Sequence, residues 1–146
     1  MDQAIQDFIN GKRIAIVGVS RDGDKFGNTA FAELAARGYQ VFAVHPTAQE
    51  IAGTPCHPNL AALRGQVDGV LVVVPPQQAA PILREATSIG LKNVWLQQGA
   101  ESPEVLALAR DLKLNLVAKK CVLMYAPPVR SFHAWHRAFA RLLGQL

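Results

Sequence analysis

Residues 18–27 combine the residue types that proteins use to bind phosphate groups. Glycine lets the backbone approach a ligand closely, and a helix that begins directly after such a loop offers free N–H donors to an anion. Ser20 adds a hydroxyl group to this segment, and Arg21 and Lys25 add two positive charges. The segment, which we call the glycine loop, therefore predicts a pyrophosphate site. The alternative is a solvated turn whose charged side chains face water.

The spacing of Gly18, Ser20 and Gly23 is an incomplete form of the dinucleotide-binding fingerprint and is weak evidence by itself. NAD binding also needs an acidic residue at the end of the second strand, where it holds the ribose hydroxyls. Residues 43–46 occupy that place and read Ala-Val-His-Pro, with no acid, and His45 is a poor substitute for the cation that NADP requires. A nicotinamide-nucleotide-dependent oxidoreductase is therefore the alternative function and not the favoured one.

Two further segments at the ends of apolar runs suit a bound nucleotide. Residues 72–76, Val-Val-Val-Pro-Pro, offer an apolar edge for a flat ring such as adenine, although two prolines also serve simply to end a strand. Residues 95–101 contain Gln97 and Gln98, which offer neutral hydrogen bonds, and Gly99, which permits close approach. Because no nucleophile–base pair or carboxylate cluster accompanies these segments, the sequence supports binding better than catalysis.

Apolar runs that alternate with stretches of helical periodicity position these segments. Strands are predicted at residues 13–19, 39–44, 67–74, 93–96 and 114–118, and helices at residues 28–37, 77–88 and 102–112. This order predicts an α/β fold with a Rossmann-like, doubly wound, parallel five-stranded sheet, in which ligands bind at the carboxyl ends of the strands. A short leading helix over residues 2–10 and an extra C-terminal helix over residues 131–143 lie outside the alternation.

The composition predicts one globular domain. The chain has 146 residues, of which 50% are hydrophobic and 18% are charged, and we expect a single domain over residues 1–146 with a core at about residues 10–125. The net charge of +4 is uneven, because residues 112–146 carry six basic residues and no acid, whereas residues 1–111 carry nine basic and eleven acidic residues. A general nucleic-acid-binding surface is therefore disfavoured.

The lack of recognisable targeting signals and the spacing of the cysteines predict a cytoplasmic protein with no membrane partner. The N-terminus lacks the features of a signal peptide, and the longest apolar run, residues 70–76, is far shorter than the roughly 20 residues that cross a bilayer. Cys56 and Cys121 are 65 residues apart, which indicates reduced thiols rather than a disulfide framework or a zinc site.

Two pairs of side chains suggest chemistry that the rest of the sequence does not support. His133 and His136 are three residues apart, as metal ligands often are, but no third ligand lies nearby. A stripe of large apolar side chains on the same predicted helix instead indicates a docked helix or a homodimer interface. The stripe comprises Phe132, Trp135, Phe139 and Leu142. Cys56 and His57 are neighbours in sequence, which rarely have the geometry of a catalytic pair.

The chain resembles a family of small stand-alone CoA-binding proteins that is related to the CoA-binding domain of succinyl-CoA synthetase α subunits. The matching stretches lie, in the family's order, at residues 16–20, 25–28, 38–46, 68–76 and 95–99. The most specific of them is Trp-Leu-Gln-Gln-Gly at residues 95–99, whereas glycine-rich starts are shared by many Rossmann-like domains. The resemblance implies a domain that binds coenzyme A or an acyl-CoA without covalent attachment and without chemistry of its own.

The resemblance also implies which residues contact the ligand. The CoA phosphates would be held by Gly18, Val19, Ser20, Arg21 and Lys25. The nucleotide would be flanked by His45 and Pro46. At these two positions the family often has Asn-Pro. The adenine and pantetheine path would be lined by Val74, Pro75 and Pro76, and its other side would be closed by Gln97, Gln98 and Gly99.

Cys121 comes at the end of the fifth predicted strand and therefore lies at the edge of the sheet where a ligand is expected. Cys121 follows two lysines, and a thiol beside cations forms a thiolate more readily. Since CoA is itself a thiol, a mixed disulfide between the two is a hypothesis, and a buried structural cysteine is the alternative. The ligases of the wider family carry a phosphorylated histidine in a further domain, which 146 residues leave no room for, so their activity is not expected here.

Overall fold

A seven-stranded sheet with helices on both faces forms the framework of residues 2–128, which are the residues that the computed structural model describes. The strands are β1 (Arg13–Val17), β2 (Gln40–Val44), β3 (Glu50–Ile51), β4 (Thr54–His57), β5 (Gly69–Val72), β6 (Asn93–Gln97) and β7 (Asn115–Lys120). The helices are α1 (Gln3–Asn10), α2 (Phe26–Ala36), α3 (Pro76–Ser88) and α4 (Pro103–Asp111). Two short 3-10 turns span Ala61–Leu63 and Val122–Met124.

The order of strands in the sheet is β3-β4-β2-β1-β5-β6-β7, and every neighbouring pair except β3 with β4 is parallel. This arrangement confirms the α/β, Rossmann-like, doubly wound fold. Strands β2, β3 and β4 lie on one side of β1, and the chain then returns to place β5, β6 and β7 on the other side. The loops after β1 and β5 therefore leave the sheet toward opposite faces. In such sheets a crevice opens at this point, outside the carboxyl ends of the strands.

The predicted number of five strands is wrong, because β3 and β4 extend the sheet beyond β2. A tight turn at Ala52 and Gly53, both with positive φ, joins the two short strands. Neither strand has the run of apolar residues that marks a buried strand, and Pro55 within β4 argues against a strand in the sequence alone. The predicted C-terminal helix over residues 131–143 lies outside the described residues, and so does the homodimer interface assigned to it.

Apolar side chains on both faces of the central strands explain why these strands are continuous apolar runs in the sequence. Ile14 and Ile16 of β1 pack in the layer with α1 and α2, whereas Ala15 between them packs in the layer with α3 and α4. Trp95 of β6 is 0% exposed and contacts the ring of Phe8 from α1 at 5.3 Å between centroids. No helix within residues 2–128 is long and apolar enough to cross a membrane.

An ion pair at the amino edge of the sheet ties β1 to the residue before β5. Arg13 donates from Nη2 to Oδ1 of Asp68 at 2.8 Å, and the backbone N–H groups of Lys12 and Arg13 donate to Oδ2 at 3.1 and 3.0 Å. The hydrogen bond from Arg13 is the largest cause that lowers the pKa of Asp68 below its ordinary value. Stability from such a group is present above the unfolded-state pKa and is lost as the pH falls through the folded-state pKa.

We therefore expect Asp68→Asn to lower the free energy of unfolding by about 1 kcal/mol at neutral pH, a small effect because solvent screens the partly exposed pair. The difference from the parent chain should shrink as the pH falls from about 5 to about 3, because the parent then loses the same interaction. Urea unfolding of both proteins at several pH values across this range measures the difference in the free energy of unfolding. Asp111→Asn, at an exposed residue of α4, is the control and should keep the parent's pH dependence. A constant difference at every pH would contradict the prediction.

Candidate functional site

A cleft of about 630 Å³ opens at the carboxyl edge of the sheet, where the chain leaves β1 and β5 toward opposite faces. Its walls come from the segments that follow β1, β2, β4 and β5 and from one side of α3. The predicted site residues that line it are Gly18, Val19, Ser20, Lys25, His45, Pro46, Val74 and Pro75. Residues from four separate segments of the sequence thus meet at one cleft, at the place where doubly wound sheets bind ligands.

Two glycines allow the glycine loop to pack against the neighbouring backbone. Gly18 has φ of +127°, and a Cβ atom there would lie 2.2 Å from the carbonyl oxygen of Val73. Gly27, in the first turn of α2, would place a Cβ 2.2 Å from the carbonyl oxygen of Gly18. A Cβ on Gly23 would meet nothing within 4 Å. The pair that packs closely is therefore Gly18 with Gly27, and not Gly18 with Gly23 as the dinucleotide fingerprint suggests.

The N-terminus of α2 is open toward an anion. Its N-cap is Lys25, whose side chain makes no capping hydrogen bond. The N–H of Asn28 donates to the carbonyl oxygen of Lys25 at 3.0 Å, whereas the N–H groups of Phe26 and Gly27 have no acceptor among the described residues. Lys25 and Phe26 both line the cleft, which places this helix end and one cation at its wall. A helix N-terminus with free N–H donors and a neighbouring ammonium group is a favourable environment for a phosphate.

Asn28 holds the glycine loop in place and was not among the predicted site residues. Its Oδ1 accepts from the N–H of Ser20 at 3.0 Å, and its Nδ2 donates to the carbonyl oxygen of Ser20 at 2.9 Å. The Ser20 hydroxyl accepts from the N–H of Asp22 at 3.1 Å and keeps its own proton to donate. The matching stretch at residues 25–28 was the available signal for Asn28, but the contact depends on how the loop folds back.

Arg21 lies at the rim of the cleft and not on its wall. Its Nη2 donates to Oγ1 of Thr47 at 2.9 Å and so connects the glycine loop to the segment after β2. In that segment, Nδ1 of His45 accepts from the N–H groups of Thr47 and Ala48 at 3.2 and 2.9 Å. The donor that the His45 ring can offer to a ligand is therefore Nε2.

A second, smaller groove of about 300 Å³ adjoins the cleft and shares Val73, Val74 and Pro75 with it. Its remaining lining includes the predicted residues Pro76, Gln97, Gln98 and Gly99. Gln97 is 5% exposed, and its Oε1 accepts from the N–H of Val122 at 3.1 Å, so that oxygen supports the turn after β7. Every predicted site residue except Arg21 therefore lines either the cleft or the groove beside it.

Sequence reasoning missed the cleft residues that come from β4 and α3. Pro58 and Asn59 follow β4, which was not recognised as a strand, and Gln78, Ile82 and Glu85 lie on α3. Oε1 of Glu85 accepts from the N–H of Leu60 at 3.0 Å and so holds the segment after β4 against α3. Gln78, Ile82 and Glu85 are four and three residues apart, so they share one face of α3, and this spacing was the signal in the sequence that could have identified them.

The described residues give no support to a catalytic Cys56–His57 pair, to a metal site or to a Cys121 thiol beside the ligand. Cys56 and His57 are consecutive in β4 and so point to opposite sides of the sheet, and burial raises the pKa of the Cys56 thiol. No group of His, Cys, Asp and Glu within residues 2–128 could hold a metal ion, and His133 and His136 lie outside that range. Cys121 is half-buried after β7, packs against the core and lines neither the cleft nor the adjoining groove.

The chain matches a known protein family over most of its length. A family model described as a CoA binding domain matches residues 12–127. The chain belongs to this CoA-binding domain family. The match confirms the resemblance that the sequence motifs indicated, and it covers every strand of the sheet and all helices of the described part of the chain except α1.

Relatives of this CoA-binding domain occur both inside ligases and as short chains. An ADP-forming acetate–CoA ligase I from Archaeoglobus fulgidus is 28% identical over 121 residues, which cover 76% of this chain but only 18% of the ligase. The uncharacterized protein YneT of Bacillus subtilis is 25% identical over 111 residues, which cover 76% of this chain and 82% of YneT. A conserved hypothetical protein from Pyrococcus furiosus has a similar structure, with a TM-score of 0.72, 32% identity and coverage of 76% of this chain and 96% of that one.

Proposed function

We propose that this CoA-binding domain binds coenzyme A or an acyl-CoA without covalent attachment, with the phosphates at the N-terminus of α2. The observation that carries the proposal is the uncapped end of α2 beside Lys25, on the wall of the cleft between β1 and β5. CoA carries a pyrophosphate and a ribose 3′-phosphate, which need cations and N–H donors and no acid that holds both ribose hydroxyls. The absence of an acid in residues 43–46 agrees with this ligand.

The two sides of the cleft differ in chemistry, which suggests how the ligand is oriented. The α2 side offers Lys25, the Ser20 hydroxyl and backbone N–H groups, whereas Val74, Pro75 and Ile82 offer apolar surface. We infer that the phosphates lie on the first side and that the adenine and pantetheine parts lie along the second. The adjoining groove, with Gln98 and Gly99, extends the apolar wall beyond Pro75.

We further propose that the domain performs no reaction of its own and works in the cytoplasm as a carrier, a sensor or a module that a partner regulates. The ligase activity of the long relatives is not transferred, because this chain matches only 18% of the Archaeoglobus fulgidus enzyme. The short relative YneT, which this chain covers over 82% of its length, supports a role for the domain outside a ligase.

Isothermal titration of CoA into the purified, ligand-free protein tests the proposal. We expect saturable binding, and we expect Lys25→Ala to weaken it by about tenfold, or about 1.4 kcal/mol, through loss of one charge-assisted contact. Lys92→Ala is the matched control, since Lys92 is exposed before β6 at the opposite edge of the sheet and should leave the affinity unchanged. Absence of CoA binding by the parent protein would refute the proposal.

The nicotinamide-nucleotide alternative is tested with the same samples. NADH and NADPH fluorescence should show no enhancement or anisotropy change on addition of the protein, because residues 43–46 contain neither an acid nor a strong cation. Saturable NADH or NADPH binding, competed by CoA or stronger than CoA binding, would favour the oxidoreductase instead.

A further inference from the structure

Glu85 is the one acidic residue among the described residues that line the proposed ligand cleft. The α2 side of the cleft offers Lys25, the Ser20 hydroxyl and backbone N–H groups, which suit phosphate groups. A carboxylate repels a phosphate, because both are negatively charged. The half-buried Glu85 therefore faces a part of the ligand that carries no phosphate, and it requires a hydrogen-bond donor there.

The Glu85 carboxylate is positioned by one of its two oxygens. Its Oε1 accepts from the N–H of Leu60 at 3.0 Å, and Leu60 itself is fully buried. No residue within residues 2–128 donates a hydrogen bond to Oε2. An ionised carboxylate oxygen accepts hydrogen bonds and donates none. Glu85 thus contributes to the cleft a fixed acceptor that the described part of the protein leaves without a donor.

Glu85 lies farther from the carboxyl edge of the sheet than the other residues of α3 that line the cleft. Helix α3 begins just after β5 and runs back toward the amino edge, since it connects two parallel strands. Glu85 is about 10 Å farther along this helix than Gln78. At this depth the segment after β4, with Pro58 and Asn59, forms the facing side. The cleft therefore extends from a phosphate side at the N-terminus of α2 to a deep end at Glu85.

The adenine ring is the part of the proposed ligand that suits the deep end. Ile82 and Pro58 offer apolar surface to a flat ring there, whereas the adjoining groove beyond Pro75 leaves a separate path for the pantetheine part. In a nucleotide the ribose lies between the phosphates and the base, so the base reaches farthest from the phosphate side. The N–H donors of the adenine ring belong to its N6 amino group, on the side of the ring away from the ribose. This amino group is the donor that can meet Oε2 of Glu85.

We infer, on the basis of the proposed function, that Glu85 makes the cleft selective for adenine over other purines. Its Oε2 accepts from the N6 amino group, while its Oε1 remains bonded to the N–H of Leu60. Hypoxanthine and guanine carry a carbonyl oxygen in place of that amino group, which would bring two acceptors together. The contacts to the phosphates cannot provide this selectivity, because nucleotides with different bases carry the same phosphates.

Isothermal titration with CoA and with deamino-CoA, in which hypoxanthine replaces adenine, tests the inference. We expect the parent protein to bind CoA about tenfold more tightly than deamino-CoA. In Glu85→Gln the amide oxygen keeps the hydrogen bond from Leu60, so the amide NH2 group takes the place of Oε2. This variant should lose the preference for CoA or reverse it, because the NH2 group donates to the hypoxanthine carbonyl and not to an amino group.

Three variants control this experiment. Glu104→Gln, at an exposed residue of α4 outside the cleft, removes the same charge and should keep the parent's ratio of affinities. Lys25→Ala should weaken both ligands by the same factor, because both carry the same phosphates. Thermal unfolding shows whether Glu85→Gln is folded. Should it fail to fold, Glu85→Ala replaces it and should remove the preference without reversing it.

The possible failures of the inference and of the proposed function are distinguishable. Equal affinity of the parent for CoA and deamino-CoA would overturn the inference and leave the proposed function intact. A Glu85→Gln variant that weakens both ligands equally and keeps the parent's ratio would also overturn it, since Glu85 would then contact the ribose or the pantetheine part. Absence of CoA binding by the parent would refute the proposed function and this inference with it.

Discussion

Gly18→Ala should destabilise the domain by about 3 kcal/mol or more and abolish CoA binding. The new Cβ would lie 2.2 Å from the carbonyl oxygen of Val73, an atom of the backbone that cannot move aside as a flexible side chain can. The φ of +127° at Gly18 adds backbone strain, because residues other than glycine rarely adopt it. Any relief requires β1 and the segment after β5 to separate, and residues of both segments line the cleft.

Gly23→Ala is the matched control for this prediction. Gly23 also has a positive φ, of +80°, but an added Cβ would meet nothing within 4 Å. We expect a loss of about 1 kcal/mol from backbone strain alone and CoA affinity close to that of the parent. Urea unfolding and CoA titration of both variants measure the two effects. Equal losses in the two variants would contradict the assignment of Gly18 to a close backbone contact.

Trp95→Ala should cost about 3–5 kcal/mol of stability, the range for removal of a large buried aromatic side chain. Trp95 of β6 is 0% exposed, and its ring contacts Phe8 of α1 and Tyr125 after the second 3-10 turn. Its Nε1 donates to the carbonyl oxygen of Lys120 at 2.9 Å. The substitution would therefore leave a cavity and remove one of the links from β6 to the end of β7.

Trp95→Phe separates the two contributions of this side chain. It keeps most of the ring packing and removes the hydrogen bond, so we expect a loss of about 1–2 kcal/mol, much less than for alanine. Thermal and urea unfolding of both variants provide the comparison. Similar losses for phenylalanine and alanine would show that the hydrogen bond, and not the packing, is the main contribution of Trp95.

The Trp-Leu-Gln-Gln-Gly motif illustrates how far a family motif predicts individual roles. The motif correctly indicated the family, and Gln97, Gln98 and Gly99 line the groove beside the cleft. Trp95 itself is in the core, and Oε1 of Gln97 supports the backbone at Val122. The sequence does not distinguish these structural contacts from ligand contacts, since both require the same residue at the same place.

The sequence by itself determined the alternation of strands and helices, the parallel sheet and the edge at which the cleft lies. Those features follow from local signals: apolar runs in strands that are buried on both faces, the Ser102-Pro103 start of α4 and the glycine after β1. They need no knowledge of which distant residues meet. For that reason the element order and most element bounds were predicted to within a few residues.

The tertiary structure alone decided the features that depend on contacts between distant segments. Parallel pairing of β4 with β2 makes a strand of a segment with little strand propensity. The return of α2 toward β1 makes Gly27, and not Gly23, the closely packed glycine, and it brings Asn28 to Ser20. The walls that α3 and β4 add to the cleft arise in the same way. Their physical reason is that steric fit and hydrogen bonding act between neighbours in space, which local sequence patterns do not specify.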